Sequence, residues 1–87
     1  MIVENMTSPN GNQVPNQFII WTDKGKYFQS YRTIIAFIDN NNNVFLDKDS
    51  WDYSRTTGKY RNIFLGEKRD STMYSIKIGE YELKNLN

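Results

Sequence analysis

Residues 50–66 constrain the fold more than any other part of the chain, because they combine helix-entry chemistry, large apolar side chains, cationic side chains and a glycine stop. The hydroxyl groups of Ser54, Thr56 and Thr57 can each accept a backbone N–H at a helix entry. Gly66 lies where a left-handed residue commonly ends a helix. The segment therefore predicts an α-helix over about residues 54–65.

The predicted helix is amphipathic, with about 100° of rotation per residue. Its apolar side contains Thr56, Tyr60, Ile63 and Phe64. Its polar, cationic side contains Arg55, Lys59 and Asn62, and the flanks contain Arg61 and Leu65. A helix of this length is marginal in water by itself, so the apolar side must pack on another element.

Strand patterns surround this segment. Residues 17–30 have the composition of a β-hairpin, residues 33–38 form a near-continuous apolar strand, and residues 44–46 return after an asparagine-rich turn. Residues 73–78 alternate between apolar and polar and predict a strand that Tyr81 and Leu83 could extend. We therefore expect an α+β fold, in which one principal helix covers one face of a mostly antiparallel sheet of about four to five strands.

Residues 1–16 are rich in Asn, Gln, Pro and Gly and predict a flexible N-terminal segment. Within it, Ile2 and Val3 could add a short edge strand. The remaining residues, 17–87, are expected to form a single small α+β domain, because a chain of 87 residues holds one core.

Composition excludes several kinds of chemistry. The chain has no cysteine and no histidine, so disulfides, the usual zinc sites and His- or Cys-dependent catalysis are ruled out. The net charge of +1 argues against a protein that holds DNA by its overall charge, although a local basic patch is compatible with it. Without a long apolar stretch or the apolar core of a secretion signal, we expect no membrane contact and a cytoplasmic location.

The asparagine-rich turn has two interpretations. Asp39, Asn41 and Asn43 have the spacing of the first three ligands of a calcium loop. However, Val44 occupies the position that requires glycine, and Ser50 replaces the terminal glutamate. A simple hairpin turn is therefore favoured, because asparagine tolerates positive φ.

Three carboxylates, from Asp47, Asp49 and Asp52, precede the predicted helix. Clustered carboxylates can bind magnesium or act as an acid/base pair. The favoured interpretation is that they interact with the positive end of the helix dipole and cap the helix. We expect no metal site and no cofactor.

Two sequence motifs carry a resemblance to known proteins. They are S-Y-x-T-x-I-A from Ser30 to Ala36 and W-x-Y-S-x-T-T-x-K-Y-x-x-x-F-L from Trp51 to Leu65, with a familiar Leu-Asn pair at residues 86–87. Together they resemble a group of small uncharacterised proteins of bacterial viruses and plasmids. Members of this group often have histidine in place of Tyr60, so a role that needs an imidazole would not transfer. The resemblance implies an intracellular accessory protein of a mobile element in a bacterial host, and it implies no activity.

The densest cationic region is the first candidate site. It predicts phosphate contacts and therefore nucleic-acid binding, from Arg55, Lys59, Arg61, Lys68 and Arg69. Asp52, Glu67 and Asp70 partly offset this charge. The alternative interpretation is an ordinary solvated helix face.

The second candidate function is docking on a host or phage protein. Trp, Tyr and Arg are enriched at binding hot spots, and this stretch contains Trp51, Tyr53, Arg55 and Arg61. An edge strand at residues 17–22 or 72–78 could also pair with a partner or with a second copy in a homo-oligomer. Alternatively, Trp51 and Tyr53 wedge the helix onto the sheet.

Catalysis is the weakest hypothesis. Ser54 and Lys59 suggest a Ser-Lys nucleophile, but their spacing slightly exceeds one helical turn and nothing supplies an oxyanion site. We therefore expect a non-enzymatic protein.

Overall fold

The computed structural model describes all 87 residues. It has six strands and two helices, in the order β1 (Ile2–Thr7), β2 (Gln13–Thr22), β3 (Gly25–Ser30), β4 (Thr33–Asp39), β5 (Val44–Asp47), α1 (Arg55–Leu65), α2 (Arg69–Lys77) and β6 (Tyr81–Lys84). The strands form one sheet in sequence order, antiparallel from β1 to β5, and β6 pairs parallel to β5. The predicted α+β fold with a mostly antiparallel sheet is confirmed.

The core lies between α1 and one face of the sheet. Phe28 of β3 and Phe64 of α1 stack with their ring centroids 5.8 Å apart. Tyr60 lies one helical turn before Phe64, and both are buried. The seven buried hydrophobic residues of this core are Met6, Phe28, Ile35, Ala36, Leu46, Tyr60 and Phe64. Three of these seven residues, Phe28, Tyr60 and Phe64, are aromatic, so large rings supply much of the buried area.

The helix predicted over residues 54–65 is confirmed as α1. The N–H of Thr57 donates to Ser54 Oγ at the N-cap, and Gly66 ends the helix in the left-handed conformation with φ 71°. Ser30 Oγ and Thr57 Oγ1 form a buried hydrogen bond of 2.9 Å between β3 and α1. Because both residues are fully buried, this bond fixes how α1 is placed over the sheet.

The strand predicted over residues 73–78 is wrong, because this segment belongs to α2. Thr72 is buried and Ile76, one helical turn later, packs on the core, so a helical period fits the burial better than the alternating pattern. Asp70 in the first turn and Lys77 in the last turn also favour a helix through its dipole. No strand exists at residues 72–78 to pair with another molecule.

Glu67 joins α2 to β6. Its carboxylate accepts hydrogen bonds from Thr72 Oγ1 at 2.6 Å and from the Tyr81 hydroxyl at 2.8 Å. Burial, helped by this bond to Glu67, raises the pKa of Tyr81 to about 12. The two helices thus form the crossover that a parallel β5–β6 pair needs.

The N-terminal segment is a second correction. Residues 1–16 were expected to be flexible, but β1 and the beginning of β2 occupy most of them, and Met6 is buried in the core. A tight turn at residues 8–12 joins the two strands, with Gly11 at φ 83°. Pairing with β1 places β2 inside the sheet, so residues 17–22 are not an edge. The edges are β1 and β6.

The sheet face opposite the helices carries an apolar row, defined by cross-strand partners Val3, Ile20, Tyr27, Phe37 and Phe45. The Tyr27 and Phe37 rings stack at 4.3 Å, and Phe37 and Phe45 are 5.9 Å apart. Because neighbouring strands are about 4.8 Å apart, rings stacked at such distances face one another rather than solvent. The apolar row therefore exposes mainly the edges of its aromatic rings to solvent.

Candidate functional site

The largest concave surface is a basic groove of about 510 Å³. It lies along the outer side of α1, next to the first residue of α2 and the β1–β2 turn. Four cationic side chains and one carboxylate line it, namely Arg55, Lys59, Arg61, Arg69 and Asp52. Among the other lining residues, only Ile63 is hydrophobic. The charged residues of the groove are thus predominantly cationic.

Arg55 and Lys59 provide the freely exposed charges of the groove. They lie four residues apart on α1, on the side away from the sheet, and both are exposed. Neither has a carboxylate within ion-pair distance. Lys59 Nζ is 5.6 Å from the ring centroid of Tyr60, its neighbour in the chain. These two side chains can contact an anion without breaking an existing ion pair.

Arg61 was expected on a flank of the helix and among the cations that contact phosphate, but the structure buries it. Its side chain is only 1% exposed. Nη1 donates to the Trp51 carbonyl at 2.7 Å and to Asp52 Oδ1 at 3.0 Å, while Nη2 donates to Asn62 Oδ1 at 3.0 Å. The guanidinium carbon is 5.2 Å from the Trp51 ring centroid. Conversely, Ile63 was expected on the apolar side but is 45% exposed.

Asp52 is shared between two arginines. Its Oδ2 accepts from Arg69 Nε at 2.8 Å and from Arg69 Nη2 at 2.6 Å, while Oδ1 accepts from Arg61. The hydrogen bond from Arg69, with that from Arg61, outweighs burial and lowers the pKa of Asp52. The hydrogen bond to Asp52 in turn raises the pKa of Arg69. One carboxylate between two cations leaves a positive charge uncompensated beneath the groove.

Gly58 lies next to the Arg61 guanidinium at the floor of the groove. Gly58 lies within α1, and a Cβ atom at this position would be 3.6 Å from Arg61 Nη2. Arg61 Nε is buried and has no hydrogen-bond partner. A glycine inside a helix costs about 1 kcal/mol relative to alanine, so Gly58 weakens α1, and it places no side chain against the guanidinium.

The remaining predicted site residues, Lys68, Trp51 and Tyr53, do not line the groove. Lys68 is exposed and precedes α2 without a side-chain capping bond. Trp51 is half-buried and packs on the core, whereas Tyr53 is 52% exposed. The four residues predicted for protein binding therefore separate into a structural pair, Trp51 and Arg61, and an exposed pair, Tyr53 and Arg55.

Residues 1–80 match a family of unknown function (DUF8033). The chain belongs to this family. No curated protein and no solved structure matches the chain. All residues that line the basic groove fall inside the matched range, which ends one residue before β6.

The acidic residues before α1 have partners of their own. Ser54, not an aspartate, caps α1, so the predicted capping role of these carboxylates is wrong. Asp47 accepts hydrogen bonds from Ser50 Oγ and from the Leu86 N–H. Although burial by itself would raise the pKa of Asp47, these bonds outweigh it and the pKa is lowered. Asp47 thus binds the backbone of Leu86, whereas Asp52 joins Arg61 of α1 to Arg69 of α2.

The asparagine-rich turn joins β4 and β5, as the hairpin interpretation predicts. The Asp39 carboxylate accepts from the Asn41 N–H and from both the side chain and the N–H of Asn43, at 2.9–3.0 Å. The bond from the Asn43 side chain contributes most to lowering the pKa of Asp39. Asn42 takes a positive φ of 66°. The Asp39 carboxylate therefore accepts hydrogen bonds from residues of its own turn.

Three contributors to the site were missed from the sequence, namely the bridge at Asp52, the position of Gly58 next to Arg61 and the turn residue Pro9 beside the groove. Asp52 lies nine residues before Arg61 and 17 before Arg69, and no local pattern links such positions. Only the glycine gave a usable signal, because it is a poor residue for a helix interior. Separately, neither helix is long and apolar enough to cross a membrane.

Proposed function

We propose that the chain is a non-enzymatic accessory protein of a bacteriophage or related mobile element, acting inside the bacterial host, and that its basic groove binds the phosphate backbone of a nucleic acid. The proposed origin rests on the two motifs that resemble bacteriophage and plasmid proteins. The proposed binding rests on the distribution of charge, and above all on the single carboxylate of Asp52 between two arginines.

Positive charge is concentrated at the groove. Its four cations and one carboxylate give a local charge of +3, whereas the whole chain has a formal charge of +1. The rest of the molecule therefore carries a net charge of −2. An anionic polymer would be attracted to the groove and weakly repelled elsewhere, which favours one orientation of binding.

The contacts available are to phosphate rather than to bases. Arg55, Lys59 and Arg69 are exposed cations, and the groove offers no aromatic ring. On the opposite sheet face, the rings of Tyr27 and Phe37 are stacked on each other, so they offer little free surface to a base. We therefore expect binding that depends weakly on sequence and strongly on salt.

The experiment is fluorescence anisotropy with labelled single-stranded and double-stranded DNA and RNA. If three cations each neutralise one phosphate, the affinity for a duplex should fall about 40-fold between 50 and 200 mM salt. The double variant Arg55→Glu/Lys59→Glu should lose binding and remain folded, because neither side chain has an ion-pair partner.

The matched control is Lys24→Glu/Lys48→Glu, which changes the net charge equally at exposed positions outside the groove. It should retain most of the affinity. Equal weakening by both double variants, or no binding at low salt, would contradict the proposal. Arg61→Glu is unsuitable as a test, because it would bury a carboxylate beside Asp52.

Docking on a protein through Trp51, Tyr53, Arg55 and Arg61 has less support. Hot-spot residues act when they become buried on binding, and Trp51 and Arg61 are already packed within the chain.

A further inference from the structure

The two edges of the sheet differ in how they are protected from pairing. β6 has four residues and carries Glu82 and Lys84. β1 has six residues, no proline or lysine, and exposes Ile2 and Val3 at 67% and 57%. Edge strands that avoid association are usually short, charged or interrupted by proline. Over its first half, β1 is neither short nor interrupted by proline, and its one charged residue is Glu4.

The single charge on β1 is also held in place. Glu4 Oε1 accepts a hydrogen bond of 3.3 Å from Trp21 Nε1 of the neighbouring strand, on the helix-covered side of the sheet. Its side chain is therefore directed across β2 rather than outward along the free edge. The outer backbone N–H and C=O groups of β1 consequently face solvent without a nearby charged side chain to discourage a second strand.

We infer that β1 pairs antiparallel with β1 of a second copy of this chain, about a two-fold axis that passes through Val3. A two-fold axis perpendicular to the sheet is the symmetry that makes two identical edges antiparallel. This two-fold rotation also keeps the helices of both copies on the same side of the combined sheet. Residues directly opposite each other must then lie on the same face of the combined sheet.

Because opposite residues must lie on the same face of the combined sheet, the two β1 strands can pair in only a few registers. Centring the pair on Glu4 would place the two Glu4 side chains opposite each other, and like charges in this position are destabilising. Centring it on Asn5 would use the part of β1 where its pairing with β2 is irregular, between Asn5 and Thr7. Centring it on Val3 avoids both problems and places Glu4 opposite Ile2.

The Val3 register also continues the apolar row. In one chain this row runs from Phe45 across the sheet and ends at Val3 on the free edge. With Val3 opposite its own copy, the row becomes continuous through both chains. The shared sheet then has twelve strands, twice the six of one chain. The two basic grooves lie on the same side, but the pairing does not depend on what they bind.

A cysteine cross-link tests the register directly, because the chain has no native cysteine. In the proposed pair, the two Cα atoms at position 3 are about 4.5–5.5 Å apart, which is within the range for a disulfide. The Val3→Cys variant should therefore form a covalent dimer under mild oxidation. At position 5 the two copies are offset by four residues, roughly 13 Å, so Asn5→Cys should stay monomeric.

The unmodified chain is tested by sedimentation equilibrium over a concentration series. Its mass should rise from the 10.3 kDa of one chain towards twice that value. Val3→Lys should abolish the rise, whereas Tyr74→Lys, at a similarly exposed position on α2, should not. A single-chain mass at every concentration, a dimer that survives Val3→Lys, or cross-linking through position 5 but not position 3 would each overturn the inference. Circular dichroism of each variant checks that the fold is retained.

Discussion

Replacing Asp52 with asparagine tests whether one carboxylate holds the basic groove together. Asparagine keeps a side-chain oxygen that can accept from Arg61 Nη1, so the main change is the loss of negative charge. Arg61 would then be a cation that is only 1% exposed and has no counter-charge. A buried arginine in that state destabilises the folded protein, since the unfolded chain leaves it in water.

The size of the effect follows from burial. Breaking a fully buried ion pair costs about 3–5 kcal/mol. Asp52 is 27% exposed, so water reaches part of the pair, and we expect the free energy of unfolding to fall by about 2 kcal/mol. For a domain of this size, such a loss lowers the melting temperature by roughly 8–16 °C.

Urea denaturation at neutral pH measures this change. Arg69→Gln is the matched control, because it removes the other, half-exposed partner of Asp52 and should cost much less. A free energy of unfolding for Asp52→Asn within about 0.5 kcal/mol of the unaltered protein would refute the claim that Arg61 depends on this charge. If the variant is folded, its groove charge rises by one and its affinity for DNA at low salt should increase.

The pH dependence provides a second readout of the same residue. The folded pKa of Asp52 lies below the usual value, mainly because of the hydrogen bond from Arg69. Its contribution to stability is therefore complete above the unfolded pKa of about 3.9 and is lost as the pH falls through the lower folded value. Asp52→Asn should flatten this acid limb, and an unchanged limb would contradict the assignment. Asp39 and Asp47 also have lowered pKa values, so some acid dependence should remain.

Two further substitutions address how α1 is held. Thr57→Val should lower the free energy of unfolding by about 1–3 kcal/mol, because Ser30 Oγ would lose its buried partner. The exposed neighbour Thr56→Val is its control in thermal denaturation, and equal effects would show that the buried bond is not the cause. Gly58→Ala should stabilise the fold by up to about 1 kcal/mol, since the new methyl group meets Arg61 at ordinary contact distance. A lower melting temperature would instead show that the space over the guanidinium is too tight for a methyl group.

Local chemistry was sufficient to predict α1 but not its rotation. Ser54 and Gly66 act through their own backbone neighbours, so both ends of the helix follow from the sequence. Apolar periodicity assigns Ile63 to the core and Arg61 to a flank of the helix, whereas the structure exposes Ile63 and buries Arg61. The reason is tertiary, because Trp51 and Asp52 supply a ring and a carboxylate that make burial of an arginine tolerable.

The missed helix α2 has a similar cause. Residues 73–78 alternate in polarity, but the alternation has no sheet position to fill, because β6 already occupies the edge next to β5. A helix instead lets Glu67 accept hydrogen bonds from both Thr72 and Tyr81. Such bonds join residues five and 14 positions from Glu67, beyond the reach of a periodicity argument.

Arg61 links the stability of the fold to the charge of the groove, so variants at this position cannot separate the two. Salt can separate them. Exposed charges such as Arg55 and Lys59 are screened over about 8–10 Å at moderate ionic strength, whereas a buried pair is screened much less. If the groove binds phosphate as proposed, raising the salt concentration should release the nucleic acid while the free energy of unfolding stays nearly constant. If the salt that releases the nucleic acid also lowers the free energy of unfolding, the loss of binding would reflect lost stability of the fold rather than screening of the charges at its surface.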